Sequence, residues 1–323
     1  VQYITDEKLS EKPLSRLVYG TANGHILSDD AAEAADCLDA ALQAGFTVFD
    51  TARSYGNAEE NFGKWLAKGN RREELTLVDK GCNPGQGGST DELTAGCIRQ
   101  QITVSLQKLQ TDYTDLYVLH RDDPSMPVEP IIEELNALKA EGKLRHFGVS
   151  NWSMARIEKA NAYAQSHGLE TIRVSSPAYS LAEMVHDPWG RSITISGAGQ
   201  AAERAAYTAT QLPVFAYSAL GRGYLSGKFD PDGTLPIDRC ISWAPIAEYD
   251  CPENRRRLKQ AKQLADREGL AVSTVCLAWL LAQPQNIYPI VSPGSDTHMQ
   301  QTVEALSLPS QLMQEIKGIF IPE

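Results

Sequence analysis

Short apolar runs alternate with longer stretches of helical periodicity along most of this chain. The runs occupy residues 17–20, 47–50, 75–80, 116–120, 146–150, 172–177, 214–217 and 287–291. Each is short, β-prone and bounded by polar or turn residues, as buried strands are. Helical patterns fill the gaps. Residues 30–44 are alanine-rich and stop at Gly45, a suitable C-terminal glycine. Asn57-x-x-Glu60 is placed to cap the next helix, and Ser89-x-x-Glu92 reads as a capping box ahead of Ile98, Ile102, Leu106 and Leu109. Ile131, Leu135 and Leu138 repeat the helical period before Gly142, and Ser153 opens another helix. Val272, Val275, Cys276, Trp279 and Leu280 form an apolar stripe that reads as core.

Strand–helix alternation predicts a parallel sheet. Eight repeats predict a closed (β/α)8 TIM barrel, and 323 residues exceed the usual ~250 of that fold. The surplus falls mainly at 218–252, which reads as a large loop over the carboxyl-terminal face with short helical pieces. A doubly wound sheet would place G-x-G-x-x-G after the first strand, where this chain has Gly20-Thr21-Ala22-Asn23-Gly24. No second domain is indicated, so 1–323 is expected to form a single domain.

Composition narrows the function. Apolar residues make up 42% of the chain, enough for a full core, and the net charge of −11 argues against nucleic acid or anionic membranes as partners. Arg255-Arg256-Arg257 has acids nearby and reads as a solvated helix face. Six cysteines, at 37, 82, 97, 240, 251 and 276, show no C-x-x-C spacing and are expected as reduced thiols in a reducing cytoplasm. Residues 1–16 are polar and lack a signal-peptide core. No apolar run approaches the roughly 20 residues that span a bilayer. Asn151-Trp152-Ser153 matches a glycosylation sequon that has no meaning without secretion.

In a barrel, reactive side chains belong at the carboxyl ends of strands. There the chain offers Asp50 with Tyr55 on its loop, then Lys80, His120, Ser150-Asn151 and Tyr217-Ser218. Each alone has an ordinary reading: a cap or turn for Asp50, loop packing for Tyr55, a surface lysine, a turn-capping histidine. Together they suit delivery of a hydride to a carbonyl carbon, which leaves charge on oxygen and needs a proton. A free phenol has a pKa of about 10 and donates poorly at neutral pH. An ammonium beside it stabilises the phenolate, so Lys80 is expected to lower that pKa. Asp50 would hold Lys80 charged, and His120 would bond and orient the carbonyl oxygen.

The segments Gly45–Ala52 with Tyr55-Gly56, Gly142–Asn151 and Phe215–Gly221 resemble signatures of the aldo-keto reductase superfamily, over about 17–306. That resemblance implies a catalytic tetrad of Asp50, Tyr55, Lys80 and His120. It implies an NAD(P)(H) cofactor, with Ser150 and Asn151 on the nicotinamide carboxamide, Tyr217 stacked on the ring, and Ser218, Leu220 and Gly221 near the pyrophosphate. Gly20 and Thr21, after the first strand, belong to the same cofactor set. Gly294 and Ser295 lie after the last strand at a helix start, where a phosphate or ribose contact fits.

Three departures stand out. The sixth strand ends Ser175-Ser176-Pro177, so the Ser176 hydroxyl would replace an amide on the carboxamide. Residues 291–304 contain no Arg or Lys, and Asp296 stands where a 2′-phosphate partner is usual. A carboxylate repels a 2′-phosphate and accepts a bond from a free 2′-hydroxyl, so local charge favours NAD(H) against the superfamily's NADP(H). Asp79 precedes Lys80 where a small residue is common. It is expected on the opposite strand face, without a role.

The substrate is expected to be a small carbonyl compound or alcohol. Arg121-Asp122-Asp123 would either contact sugar-like hydroxyls or close the loop through an ion pair. Trp152, Trp189, Trp243 and Tyr224 are candidate pocket walls, whereas Trp65 and Trp279 read as core. The alternative function is a cofactor-holding regulatory subunit of the same fold with little turnover. A hydrolase or metal enzyme lacks support, because no H-E-x-x-H or G-x-S-x-G occurs and the six histidines show no ligand spacing. Oligomeric state and physiological substrate are not legible.

Overall fold

A computed structural model describes residues 2–6, 9–69, 71–84, 92–232 and 243–319. Two short strands, β1 (Tyr3–Ile4) and β2 (Leu14–Ser15), pair antiparallel ahead of the repeat. Then follow β3 (Val18–Gly20), β4 (Val48–Asp50), β5 (Thr76–Gly81), β6 (Thr114–Leu119), β7 (Leu144–Ser150), β8 (Val174–Ser176), β9 (Val214–Ala216) and β10 (Ile287–Val291). These eight form a closed barrel in the order β10-β3-β4-β5-β6-β7-β8-β9, with helices in the connections, as the alternation predicts. The last expected run, 287–291, coincides with its strand; the others differ by one or two residues at an end, and His120 lies just beyond β6. The N-terminal hairpin was not expected, since two-residue strands carry no periodicity to read. The chain divides into two compact units, one up to Ser176 and one from Pro177.

In the first unit, β3 to β8 pair in parallel, in chain order. Strands covered on both faces need apolar side chains on both, and every residue of β3 to β6 and of β8 is buried. The register pairs Gly20 with Asp50, Asp50 with Val78, Lys80 with Val118, Leu119 with Val149 and Ser150 with Ser176. Parallel pairing puts all their carboxyl ends on one rim.

Helix ends follow local chemistry. Asp30 accepts from the N–H groups of Ala32 and Glu33 to start the helix Ala31–Gln43, and Gly45 follows its end at φ 93°. The helix Ala58–Gly69 starts one residue past Asn57, whose side chain donates to Asp29 (2.7 Å). Thr94 caps the helix Ala95–Leu109 by accepting from Cys97 N–H; the expected capping residue Ser89 lies outside the described residues. Ser153 caps the helix Met154–Ser166 as expected. Gly63 is dictated by packing: a Cβ there would stand 2.2 Å from the carbonyl oxygen of Lys108, so glycine lets the helices Ala58–Gly69 and Ala95–Leu109 approach.

In the second unit, β9 and β10 pair in parallel, and the helix Val272–Leu281 is buried along most of its length, as its apolar stripe predicts. The region 218–252 carries a tight turn at Gly221–Gly223 and the helix Trp243–Tyr249; Cys240 and the rest of 233–242 lie outside the described residues. The helix Pro252–Glu268 has proline in its first turn and ends at Gly269 with φ 69°. Its arginine triplet is only partly the solvated face expected. Arg255 and Arg256 are solvated and pair with Asp250 and Glu253, but Arg257 is buried, bonded to Glu253 and to the carbonyl of Leu181. Sequence adjacency concealed the 100° step that turns each successive helical residue to a different face.

All five described cysteines are free. No described helix is long and apolar enough to cross a membrane.

Candidate active site

The rim of the first unit gathers Asp50, Tyr55, Lys80 and His120. Asp50 ends β4 and Lys80 is the penultimate residue of β5, each 3% exposed. The Lys80 ammonium is hydrogen-bonded to Asp50 Oδ1 and donates to the Thr51 carbonyl at 3.1 Å. Taking two ions out of water costs several kcal/mol each unless they pair closely. Burial opposes the Lys80 ammonium, but Asp50 and Tyr55 outweigh it and its pKa lies above the usual lysine value. Burial raises the Asp50 carboxyl more than Lys80 lowers it.

Tyr55 stands on the loop after β4, tied by its N–H to the carbonyl of Ala52 (3.0 Å). Lys80 Nζ lies 5.2 Å from its ring centroid. The His120 ring meets it edge-on, centroids 5.7 Å apart at 83°. The sequence led us to expect a phenol pKa below normal. The net direction is upward, because burial outweighs the pull of Lys80 and Arg121. The phenol therefore stays protonated at neutral pH, and the adjacent ammonium stabilises the phenolate once the proton leaves.

His120 is held by its N–H to the Gly81 carbonyl (2.8 Å), and its Nδ1 lies 3.4 Å from Ser54 Oγ. Burial, with Lys80 and Arg121 nearby, pushes its pKa well below the usual histidine value. It is a neutral imidazole, suited to hydrogen bonding with an oxygen rather than to carrying charge. Thr51 and Ser54 were missed by the sequence reading. Both lie on the Asp50–Tyr55 segment, but nothing in their type distinguishes them from ordinary turn residues.

The remaining first-unit candidates line the same strand ends. Gly20 and Thr21 are buried, and Thr21 bonds Asp50 through its N–H (2.9 Å) and Thr51 through its hydroxyl (2.9 Å). Ser150 Oγ donates to the Ser176 carbonyl (2.7 Å). Asn151 takes φ 61° and donates from its amide to His120 O (3.1 Å) and Ser150 Oγ (3.0 Å). Ser176 is 3% exposed. The Arg121–Asp123 segment closes its loop: Arg156 Nε bonds Asp122 at 2.6 Å and Nη2 bonds the Asp123 carbonyl. The ion pair is that of the loop-closing alternative. Trp152 is fully buried, with Arg156 over its ring at 4.5 Å, so it is packing rather than pocket wall.

In the second unit, Tyr217 follows β9 and meets Trp189 edge-on at 6.2 Å. Ser218, Gly221, Arg222 and Gly223 all take positive φ, a tight turn suited to close backbone approach. Leu220 N-caps that turn. Arg222 is ion-paired with Glu248 and stacks over Trp189 at 5.0 Å. Gly294 and Ser295 are exposed, and Ser295 caps the helix Asp296–Glu304 through His298 N–H. Tyr224 is fully buried and Trp243 is 67% exposed. Trp65 and Trp279 are core residues as expected. No group of metal-ligating side chains occurs among the described residues.

Comparison with known proteins bears on this geometry. The profile of the aldo/keto reductase family matches residues 16–321. An aldo-keto reductase of Strobilurus tenacellus is 31% identical, over 88% of this chain and 79% of its own length. An uncharacterized oxidoreductase of Bacillus subtilis is 31% identical over 95% of this chain and 92% of its own. A putative voltage-gated potassium channel subunit beta of Schizosaccharomyces pombe is 28% identical, over 89% and 83%.

Proposed function

The chain belongs to the aldo/keto reductase family, and from that premise we propose that it is an NAD(P)-dependent oxidoreductase interconverting a small carbonyl compound and its alcohol. The supporting observation is the buried Asp50–Lys80 pair beside a protonated Tyr55 phenol and a neutral His120. Tyr55 gives its proton to the carbonyl oxygen as charge develops there. Lys80 stabilises the phenolate left behind, Asp50 keeps Lys80 charged and in place, and His120 bonds and orients the oxygen. In the reverse direction the phenolate takes the alcohol proton.

Family membership supports a nicotinamide dinucleotide, which would supply the hydride when bound, and we assign to it a set of groups from each unit. Buried hydroxyl and amide groups at Ser150, Asn151 and Ser176 suit a carboxamide. Tyr217 supplies a ring for stacking, and the positive-φ turn through Ser218 and Gly221, with Leu220 between them, suits a pyrophosphate. Gly20 and Thr21 complete the set at the first strand end. For the adenosine end we assign Gly294 and Ser295, and the exposed Asp296 beside them favours NAD(H). Asp296→Lys should then tighten NADPH binding by about tenfold, equivalent to ~1.4 kcal/mol. Wild type binding NADPH clearly more tightly than NADH in a fluorescence titration would overturn that preference.

The deciding experiment follows NAD(P)H absorbance with a panel of aldehydes, ketones and keto-sugars. Tyr55→Phe should lower kcat by ~10²–10⁴-fold while cofactor binding persists. The channel-subunit relative supports the alternative of a cofactor-holding subunit. Cofactor binding without turnover on any substrate would select it.

A further inference from the structure

The turn after β9 carries a side chain that its backbone does not favour. Arg222 takes φ 53° between Gly221 at 55° and Gly223 at 104°, and in this left-handed region a Cβ is strained where glycine is free. The contacts of the guanidinium offset that strain. It is ion-paired with Glu248, which is 4% exposed, and its centre lies 5.0 Å from the centroid of the Trp189 ring. Among the described residues Glu248 has no other counter-ion, and its second carboxylate oxygen has no hydrogen bond. A buried carboxylate in that state holds its one cation firmly.

Trp189 sits at the tip of a loop whose backbone is fixed. The base closes where Ala178 donates to the Ile193 carbonyl (2.8 Å) and accepts from Ile195 N–H (2.9 Å). At the tip, the Asp187 carboxylate accepts from the N–H groups of Trp189 (3.0 Å) and Ser192 (2.7 Å). The limb before the tip is tied to the helix Trp243–Tyr249, because the Glu248 carbonyl accepts from the N–H groups of Val185 (2.9 Å) and His186 (3.1 Å). Glu248 thus holds the loop by its carbonyl and the turn by its carboxylate. These bonds fix the backbone but not the indole, which is only half-buried. Its orientation is set by the Arg222 cation over the ring and by the Tyr217 ring, which meets it at 69° with centroids 6.2 Å apart.

We propose that Arg222 is a positioning residue that fixes Trp189 as one wall of the carbonyl site, and that this wall selects aromatic carbonyl compounds. With the nicotinamide stacked on Tyr217, the carbon that accepts the hydride stands about 3–3.5 Å from the nicotinamide ring. The group attached to that carbon then reaches the rings that touch Tyr217. An indole held still offers a planar substituent an edge-to-face contact that a saturated ring of the same size does not make. The substrate class rests on the oxidoreductase reading above; the fixing of Trp189 does not.

Benzaldehyde and cyclohexanecarbaldehyde share a carbon skeleton and differ in aromaticity, so the ratio of their kcat/KM values cancels any common loss of cofactor binding or of fold. Trp189→Leu should lower the benzaldehyde preference about three- to tenfold. Arg222→Met should lower it in the same direction, through KM for benzaldehyde rather than kcat. Arg222→Lys, which keeps a charge for Glu248 but loses the planar stack, should lower it less. With Trp189→Leu in place, adding Arg222→Met should change the preference no further, since Arg222 acts through Trp189. Should Arg222→Met fail to fold, Arg222→Met with Glu248→Leu removes the whole buried pair and makes the same test. In protein labelled with 5-fluorotryptophan, the fluorine NMR signal missing from Trp189→Leu belongs to Trp189, and in Arg222→Met it should narrow and move toward the shift of the free amino acid. An unchanged preference in Trp189→Leu, an Arg222→Met effect that adds in full to that of Trp189→Leu, or an unmoved Trp189 signal in Arg222→Met would each overturn the inference. Turnover of keto-sugars but of neither aldehyde would overturn it and leave the oxidoreductase reading intact. No turnover on any carbonyl would refute that reading instead. The inference is then decided by titrating NAD(P)H-loaded protein: benzaldehyde shifting the Trp189 signal at lower concentration than cyclohexanecarbaldehyde supports it, and equal or absent shifts overturn it.

Discussion

Lys80→Met isolates the contribution of the buried Lys80 ammonium at the rim. Methionine keeps most of the aliphatic stem and removes the charge. Asp50, 3% exposed, then loses both its counter-ion and its hydrogen bond. Breaking a buried pair from one side typically costs about 3–5 kcal/mol, which for a chain of this size corresponds to a fall in Tm of roughly 5–10 °C. Lys80 lowers the Asp50 pKa against a larger effect of burial, so its loss moves that pKa further up. A carboxyl whose folded pKa exceeds its unfolded value adds stability below the unfolded value, about 3.9, and loses it as pH rises through the folded one. The Tm deficit of the variant should therefore close toward acid pH. Turnover should drop by ~10²–10⁴-fold at every pH, since the phenolate has lost its stabilising charge. Adding Asp50→Leu should restore most of the stability, because replacing a whole buried pair by apolar groups is often neutral, and none of the activity. Differential scanning calorimetry between pH 4 and 8, with NAD(P)H-coupled rates on the same samples, checks all three statements. A variant as stable as wild type at pH 7, or one destabilised but fully active, refutes the reasoning.

Other perturbations test neighbouring parts of the argument. His120 has a folded pKa well below its unfolded value near 6.5, so the stability it contributes is present above pH 6.5 and lost as pH falls below it; His120→Asn should flatten that acid-side loss in urea titrations from pH 5 to 7. Glu170 titrates at about 2, because His146 and Lys139 outweigh its burial. Its contribution is therefore full above an unfolded value of about 4.3 and lost as pH falls toward 2. Glu170→Gln should cost about 1–3 kcal/mol in denaturant unfolding at pH 7 and almost nothing near pH 2. Gly63→Ala puts a methyl against backbone that cannot rotate away, and overpacking of this kind should cost about 1–3 kcal/mol by thermal unfolding.

The barrel was legible because its physics is local. Eight short apolar runs, most of them followed by a helical period with a glycine stop or a capped start, leave few architectures, and parallel pairing then puts the carboxyl ends of β3 to β8 on one rim. Asp50, Lys80, His120 and Ser150 were visible as polar ends of apolar runs, a signal that needs no contacts. What a side chain meets is not local. Asp79 differs from Lys80 by one step in the chain, yet alternation sends one to the rim and the other under a helix beside Glu59, twenty residues earlier. Arg257 follows two solvated arginines and is buried by the helix's own rotation. Tyr55 shows the same limit in energy. The sequence placed an ammonium beside a phenol and so determined the sign of that one interaction. Only the packed structure decided how much water was removed around the ring, and desolvation proved the larger effect.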